Sequence, residues 1–106
     1  MEKVYEKLVR DRIPEMIANS GGSCSTRILS QEEYLEMLDK KLNEELAEYQ
    51  ESKSLEELAD LLEVMQAVVK ARGADFQQVE EIRLRKRQER GGFESRILLE
   101  RVIQSP

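Results

Sequence analysis

Histidine is missing from this chain, which removes the commonest general base, the commonest zinc ligand and every Ser-His or Cys-His nucleophilic arrangement. Tryptophan is absent too and aromatics make up only 5% of the residues, while Leu, Glu, Lys and Arg dominate, a composition that suits helices better than a sandwich of strands. A single cysteine, Cys24, has no partner for an internal disulfide, and no activating base is identifiable near it. No apolar run is long enough to span a bilayer and no apolar signal segment opens the chain, so a soluble, cytoplasmic protein is expected. The net charge of −5 makes the average surface repel nucleic acid and anionic lipid, so neither is an expected partner and any phosphate binding is local. Whatever chemistry the chain performs must run on carboxylates, metal and water.

At 106 residues the chain is read as one domain, residues 1–106, with a mostly all-α fold. It is small enough for association with another copy to add useful buried area, so a homo-oligomer, dimer or tetramer, is expected. Residues 2–19 carry Val4, Leu8, Ile13, Met16 and Ile17 among charges, with Pro14 between, which predicts helix, interruption, short helix. Ser20-Gly21-Gly22-Ser23 reads as a loop, and Ser30 with Glu33 as a capping box. From there Leu35, Leu38, Leu42, Leu46 and Tyr49 recur at helical spacing, and so do Leu58, Leu62, Met65 and Val69. Two long amphipathic helices, about 31–50 and 55–71, should therefore form a central antiparallel hairpin. Gly73 is placed to end the second, Asp75 to start a third running to about Arg90, and a short β pairing of residues 25–29 with 97–103 is expected.

Set in this hairpin are two acidic blocks, Glu44-Glu45-x-x-Glu48 and Glu57-x-x-Asp60. Three-residue spacing puts each pair on neighbouring turns of one helix face, and a turn near 50–54 brings Glu48 level with Glu57 and Glu45 level with Asp60. Glu45 falls within roughly 50° of the centre of its helix's apolar stripe, and Glu57 is turned roughly 120° from the solvated face of its own. Neither has a basic residue at i+4. Carboxylates gathered and partly buried in this way repel unless a cation sits among them, and an oxygen-only donor set favours Mg²⁺, with Mn²⁺ as a substitute.

The basic residues suggest phosphate binding. Lys86 and Arg90 lie within roughly 20° of the stripe marked by Phe76, Val79 and Ile82, and a Lys and an Arg one turn apart suit the oxygens of a polyphosphate. Lys7 and Arg10 are further candidates, against the ordinary alternative of a charged surface.

The blocks carrying Glu44, Glu45, Glu48, Glu57 and Asp60 resemble those of the MazG-like all-α nucleoside triphosphate pyrophosphohydrolases. The opening Lys7-Leu8-Val9-Arg10-Asp11-Arg12-Ile13-Pro14, the segment Glu57-Leu58-Ala59-Asp60-Leu61-Leu62-Glu63-Val64 and the late Lys86-Arg87-Gln88-Glu89-Arg90-Gly91-Gly92-Phe93 look like the subgroup labelled phosphoribosyl-ATP pyrophosphohydrolase-like. The resemblance implies a helical bundle assembled from subunits, with Mg²⁺ held by Glu45, Glu48, Glu57 and Asp60. It also implies hydrolysis of a nucleotide between its α and β phosphates to monophosphate and pyrophosphate. Glu44, Glu45 or another of these carboxylates would take the proton from water. Only eight residues, Tyr49 to Glu56, separate the blocks, which implies a tight interhelical turn and reduced loops for base recognition. A non-catalytic helical interaction module and a nucleotide-sensing or RNA-contacting module built on Arg83 to Arg90 are the alternatives.

Overall fold

A computed structural model describes residues 2–105. Four helices occur among them, with no strand: α1 (Ile13–Asn19), α2 (Gln31–Ser52), α3 (Leu55–Ala71) and α4 (Phe76–Arg90). The chain divides into two compact units, Met1–Asp75 and Phe76–Pro106.

The first unit is organised by the α2/α3 hairpin. α2 starts on a reciprocal capping box in which the Ser30 hydroxyl accepts from the Glu33 N–H and the Glu33 carboxylate accepts from the Ser30 N–H at 3.2 Å. The helix ends at Lys53, a left-handed C-cap with φ 59°, and Ser54 starts α3 one residue later by accepting from the Glu57 N–H at 3.3 Å. At the open end, Gln31 donates to the Ala71 carbonyl at 3.0 Å and Arg72 lies 3.6 Å from Asp39, which closes the two helices against each other. Gly73, at φ 80°, completes a Schellman motif: its N–H bonds the Lys70 carbonyl and the next N–H, of Ala74, bonds the Val69 carbonyl.

The shared interior is thin. Leu38 and Val64 are the buried hydrophobic residues among those described, joined by one buried charged residue, Glu45. Leu46, Leu58, Leu62 and Met65 are each about two-fifths or more exposed, although all four belong to the apolar stripes that the periodicity picked out.

Two expectations fail here. Residues 2–10 form no helix; the first helix begins at Ile13, with Pro14 in its opening turn, where a missing N–H costs nothing. The preceding stretch is too short to hold a helix without packing, and its Val4, Tyr5 and Val9 stay about half or more exposed. Nor do residues 25–29 and 97–103 form strands. Ile28 is 95% exposed and Ile97, Leu98, Leu99, Val102 and Ile103 are all largely exposed, and a lone two-stranded ribbon without a face to cover is marginal in water.

The second unit is α4 and the irregular segment after it. α4 carries Glu80 paired with Arg83, and Arg87 in its last turn donates to Glu94, beyond the helix end, at 2.7 Å. Phe76, Val79 and Glu80 are half-buried, and from residue 81 onward the helix is exposed.

Candidate metal centre

The hairpin brings the two acidic blocks together. Oxygens of Glu45, Glu57 and Asp60 lie within 4.8 Å of one another, and so do oxygens of Glu44, Glu45 and Glu48. Glu48 bears on both Glu45 and Glu57, so the sequence-predicted ligands Glu45, Glu48, Glu57 and Asp60 converge, with Glu44 adjoining them.

Glu57 reaches this cluster because of an exchange at the α3 N-terminus. Ser30-Gln31-Glu32-Glu33 and Ser54-Leu55-Glu56-Glu57 are equivalent capping sequences. At α2 the glutamate folds back onto the cap N–H and also takes a bidentate pair from Arg27, at 2.8 and 3.3 Å. At α3 the cap N–H, that of Ser54, donates instead to the Ser52 hydroxyl at 3.3 Å. The Glu57 carboxylate is thereby left for the cluster.

Each acidic group is perturbed in a way its surroundings explain. Burial pushes the Glu45 carboxyl above the ordinary range, and the neighbouring Glu48 charge adds to this against the pull of Lys41. Loss of hydration likewise raises Glu57, reinforced by Glu48, Asp60 and Glu56. Glu44 goes the other way: burial raises it, but the Lys7 hydrogen bond and the Lys41 and Lys7 charges together outweigh that and bring it below the ordinary range. Away from the site, the Arg27 pair and the two Ser30 hydrogen bonds bring Glu33 down to about 2.

Three cations border the cluster. Lys7 Nζ lies 3.1 Å from Glu44, Arg10 donates to Asp60 at 2.7 Å, and Lys41 Nζ is 3.6 Å from Glu44 and 3.5 Å from Glu45. Lys41 stands at i−4 from Glu45, so that carboxylate does have a basic neighbour on its own helix, on the side opposite to i+4. Five carboxylates against three cations leave two negative charges uncompensated, the charge of one divalent ion. The deficit has an atomic location: Glu45 Oε2 and Glu57 Oε2 are buried and accept no hydrogen bond. Two orphaned carboxylate oxygens among oxygen-only donors fit Mg²⁺ or Mn²⁺ and do not fit a soft metal.

Lys86 and Arg90 belong to the second unit, where both are exposed on α4. Their helical-wheel alignment with Phe76 and Val79 does not bury them. Sequence reasoning missed Lys41, for which i−4 spacing was the available signal, and it had no means of seeing that Ser52 takes over the cap. No helix among the described residues is long and apolar enough to cross a membrane.

No family model matches the chain, and no solved structure matches it. A stretch of 42 residues, 40% of this chain, is 57% identical to a protein of Mycolicibacterium smegmatis described only as uncharacterized. The stretch covers 43% of that relative's length.

Proposed function

We propose that the chain is a Mg²⁺-dependent pyrophosphohydrolase of the MazG-like kind, close to the phosphoribosyl-ATP pyrophosphohydrolase-like subgroup. Its substrate would be a nucleoside triphosphate or related nucleotide, cut between the α and β phosphates to monophosphate and pyrophosphate. The observation that carries the reading is the pair of buried, unpartnered oxygens, Glu45 Oε2 and Glu57 Oε2, at the centre of a carboxylate cluster two charges short of balance. Glu45, Glu48, Glu57 and Asp60 hold the ion. Mg²⁺ when bound neutralises phosphate charge and acidifies a coordinated water. Glu44, kept ionised by Lys7 and Lys41, is suited to accept a proton from the attacking water. Lys7 and Arg10, already held at the edge of the cluster, would bind phosphate oxygens. The reading places the protein in the cytoplasm, with no nucleic-acid or membrane partner.

The proposal extends to a homo-oligomer. Its support is the thin interior, together with the exposed Leu46, Leu58, Leu62 and Met65 on the hairpin, which a second copy would cover.

Pyrophosphate release, counted apart from orthophosphate, from ribo- and deoxyribonucleoside triphosphates with and without Mg²⁺ tests the activity. Glu57→Gln should lower turnover by at least about a hundredfold with helix content unchanged. Mg²⁺-independent stability together with no nucleotide turnover would favour the non-catalytic helical module instead.

A further inference from the structure

Beside the carboxylate cluster, and sharing Lys7 and Glu44 with it, lies a cavity of about 250 Å³. It opens between the segment before α1 and the flank of α2. Tyr5, Leu8 and Met37 form an aromatic and apolar wall, three lysines, Lys7 and Lys41 among them, outnumber the two carboxylates of the lining, Glu6 and Glu44, and Glu44 closes the end shared with the carboxylate cluster. Its volume is below the ~300–1,000 Å³ that enclose a whole drug-sized ligand. It therefore suits one part of a ligand whose remainder lies elsewhere. A bare polyphosphate would have no use for a wall of tyrosine, leucine and methionine, whereas a planar ring gains from stacking and from leaving water.

We propose that this cavity receives the nucleoside end of the substrate, with the base against Tyr5 and Met37 and the phosphate arm passing Lys7 and Lys41 toward the carboxylates. The inference rests on the pyrophosphohydrolase reading and names what that reading leaves open, the element that recognises the base. Lys7 and Lys41 are the hinge of the arrangement, because each lines the cavity and each also contacts Glu44. A ligand entering here would exchange the Lys7 and Lys41 contacts to Glu44 for contacts to its phosphate oxygens. The segment before α1, which forms no regular structure, then acts as the specificity wall of a site whose chemistry lies on the hairpin.

The test is equilibrium binding by calorimetry of Mg²⁺ tripolyphosphate and of the Mg²⁺ complexes of α,β-methylene triphosphate analogues carrying each common base. The proteins are the wild type, Tyr5→Ala and Met37→Ala. Tyr5 is 61% exposed and its replacement leaves the hairpin intact, which circular dichroism checks. The expected result is that at least one analogue binds about tenfold or more tighter than tripolyphosphate, and that both variants lose most of this advantage while binding tripolyphosphate as before. An advantage that survives in both variants would put base recognition elsewhere, and no advantage in the wild type would mean that the nucleoside is not recognised; either overturns the proposal. Absence of Mg²⁺-dependent binding of any probe, tripolyphosphate included, would overturn the pyrophosphohydrolase reading as well, which separates the two failures.

Discussion

Replacing Glu45 by Gln should reverse the sign of its effect on stability according to whether Mg²⁺ is present. Glu45 is 7% exposed, one of its oxygens accepts no hydrogen bond, and Glu48 adds a like charge beside it. Gln removes the charge, and with it the repulsion from Glu48, and its amide N–H can donate to the Glu48 carboxylate, which relieves part of the roughly 1–3 kcal/mol that a buried unsatisfied group costs. Against this stands the Lys41 pair at 3.5 Å, in which both side chains are largely shielded from water, so that the desolvation of the two ions offsets much of their attraction. Lys41 keeps Glu44 as an alternative at 3.6 Å, so little of that contribution is lost. Without metal, Glu45→Gln should therefore stabilise the protein by about 1 kcal/mol, raising Tm by about 4–8 °C for a domain near this size. With Mg²⁺ at a hundred times its Kd the wild type gains about 2.7 kcal/mol that the variant lacks, and the order inverts. Calorimetric melting at one protein concentration, in EDTA and in Mg²⁺, measures both halves. A variant less stable than the wild type in EDTA, or a Mg²⁺ increment equal in the two proteins, would refute the assignment of Glu45 as a strained ligand awaiting a cation.

The pH dependence follows from the same groups. Glu45 and Glu57 have folded pKa values above the unfolded 4.5, so their contribution is fully present below pH 4.5 and is lost as pH rises through the raised values, whereas Glu33, at about 2, contributes above 4.5 and loses its share as pH falls toward 2. Metal-free Tm should accordingly rise on acidification from neutrality toward about 4.5 and fall below it; a steady decline from pH 7 downward would contradict the reading. Ser30→Ala removes the α2 cap and should cost about 1 kcal/mol in denaturant unfolding, with Mg²⁺ affinity unchanged. Leu62→Glu places a charge on the exposed face of α3 and should dissociate the proposed oligomer in sedimentation equilibrium while leaving helix content near that of the wild type; an unchanged mass would remove that face from the interface.

The hairpin was legible because three local signals agreed: 3.6-residue apolar spacing, a Ser-x-x-Glu cap at Ser30, and a glycine at 73 where a left-handed residue was required. The convergence of Glu45 with Asp60 and of Glu48 with Glu57 followed from the register alone, since a short turn between two regular helices leaves little freedom. Failure came where no periodic signal constrains the chain. The apolar tail from Ile97 to Ile103 reads as a strand by residue type, but a strand exists only through a partner, and no local pattern specifies one. Residues 2–10 were misread for a related reason: helix-compatible composition did not reveal that their cations would be taken up by Glu44 and Asp60, residues 37 and 50 positions away. Burial was the other weak point, because periodicity identifies an apolar face without saying whether anything covers it. Leu62 and Leu38 look alike in sequence, and only Leu38 is enclosed.

The hydroxyl of Ser52 sets two demands on one side chain against each other. A glutamate three residues after a helix cap is ordinarily drawn back to its own helix end, and Ser52 releases Glu57 from that role by occupying the cap N–H itself. Removing the hydroxyl would let Glu57 swing home, so that the helix end improved while a ligand left the centre. Optimising this turn for robustness alone would therefore dismantle the centre without touching any residue that belongs to it. An uncharged serine in an interhelical turn thus decides whether the Glu57 carboxylate is available to the proposed metal centre.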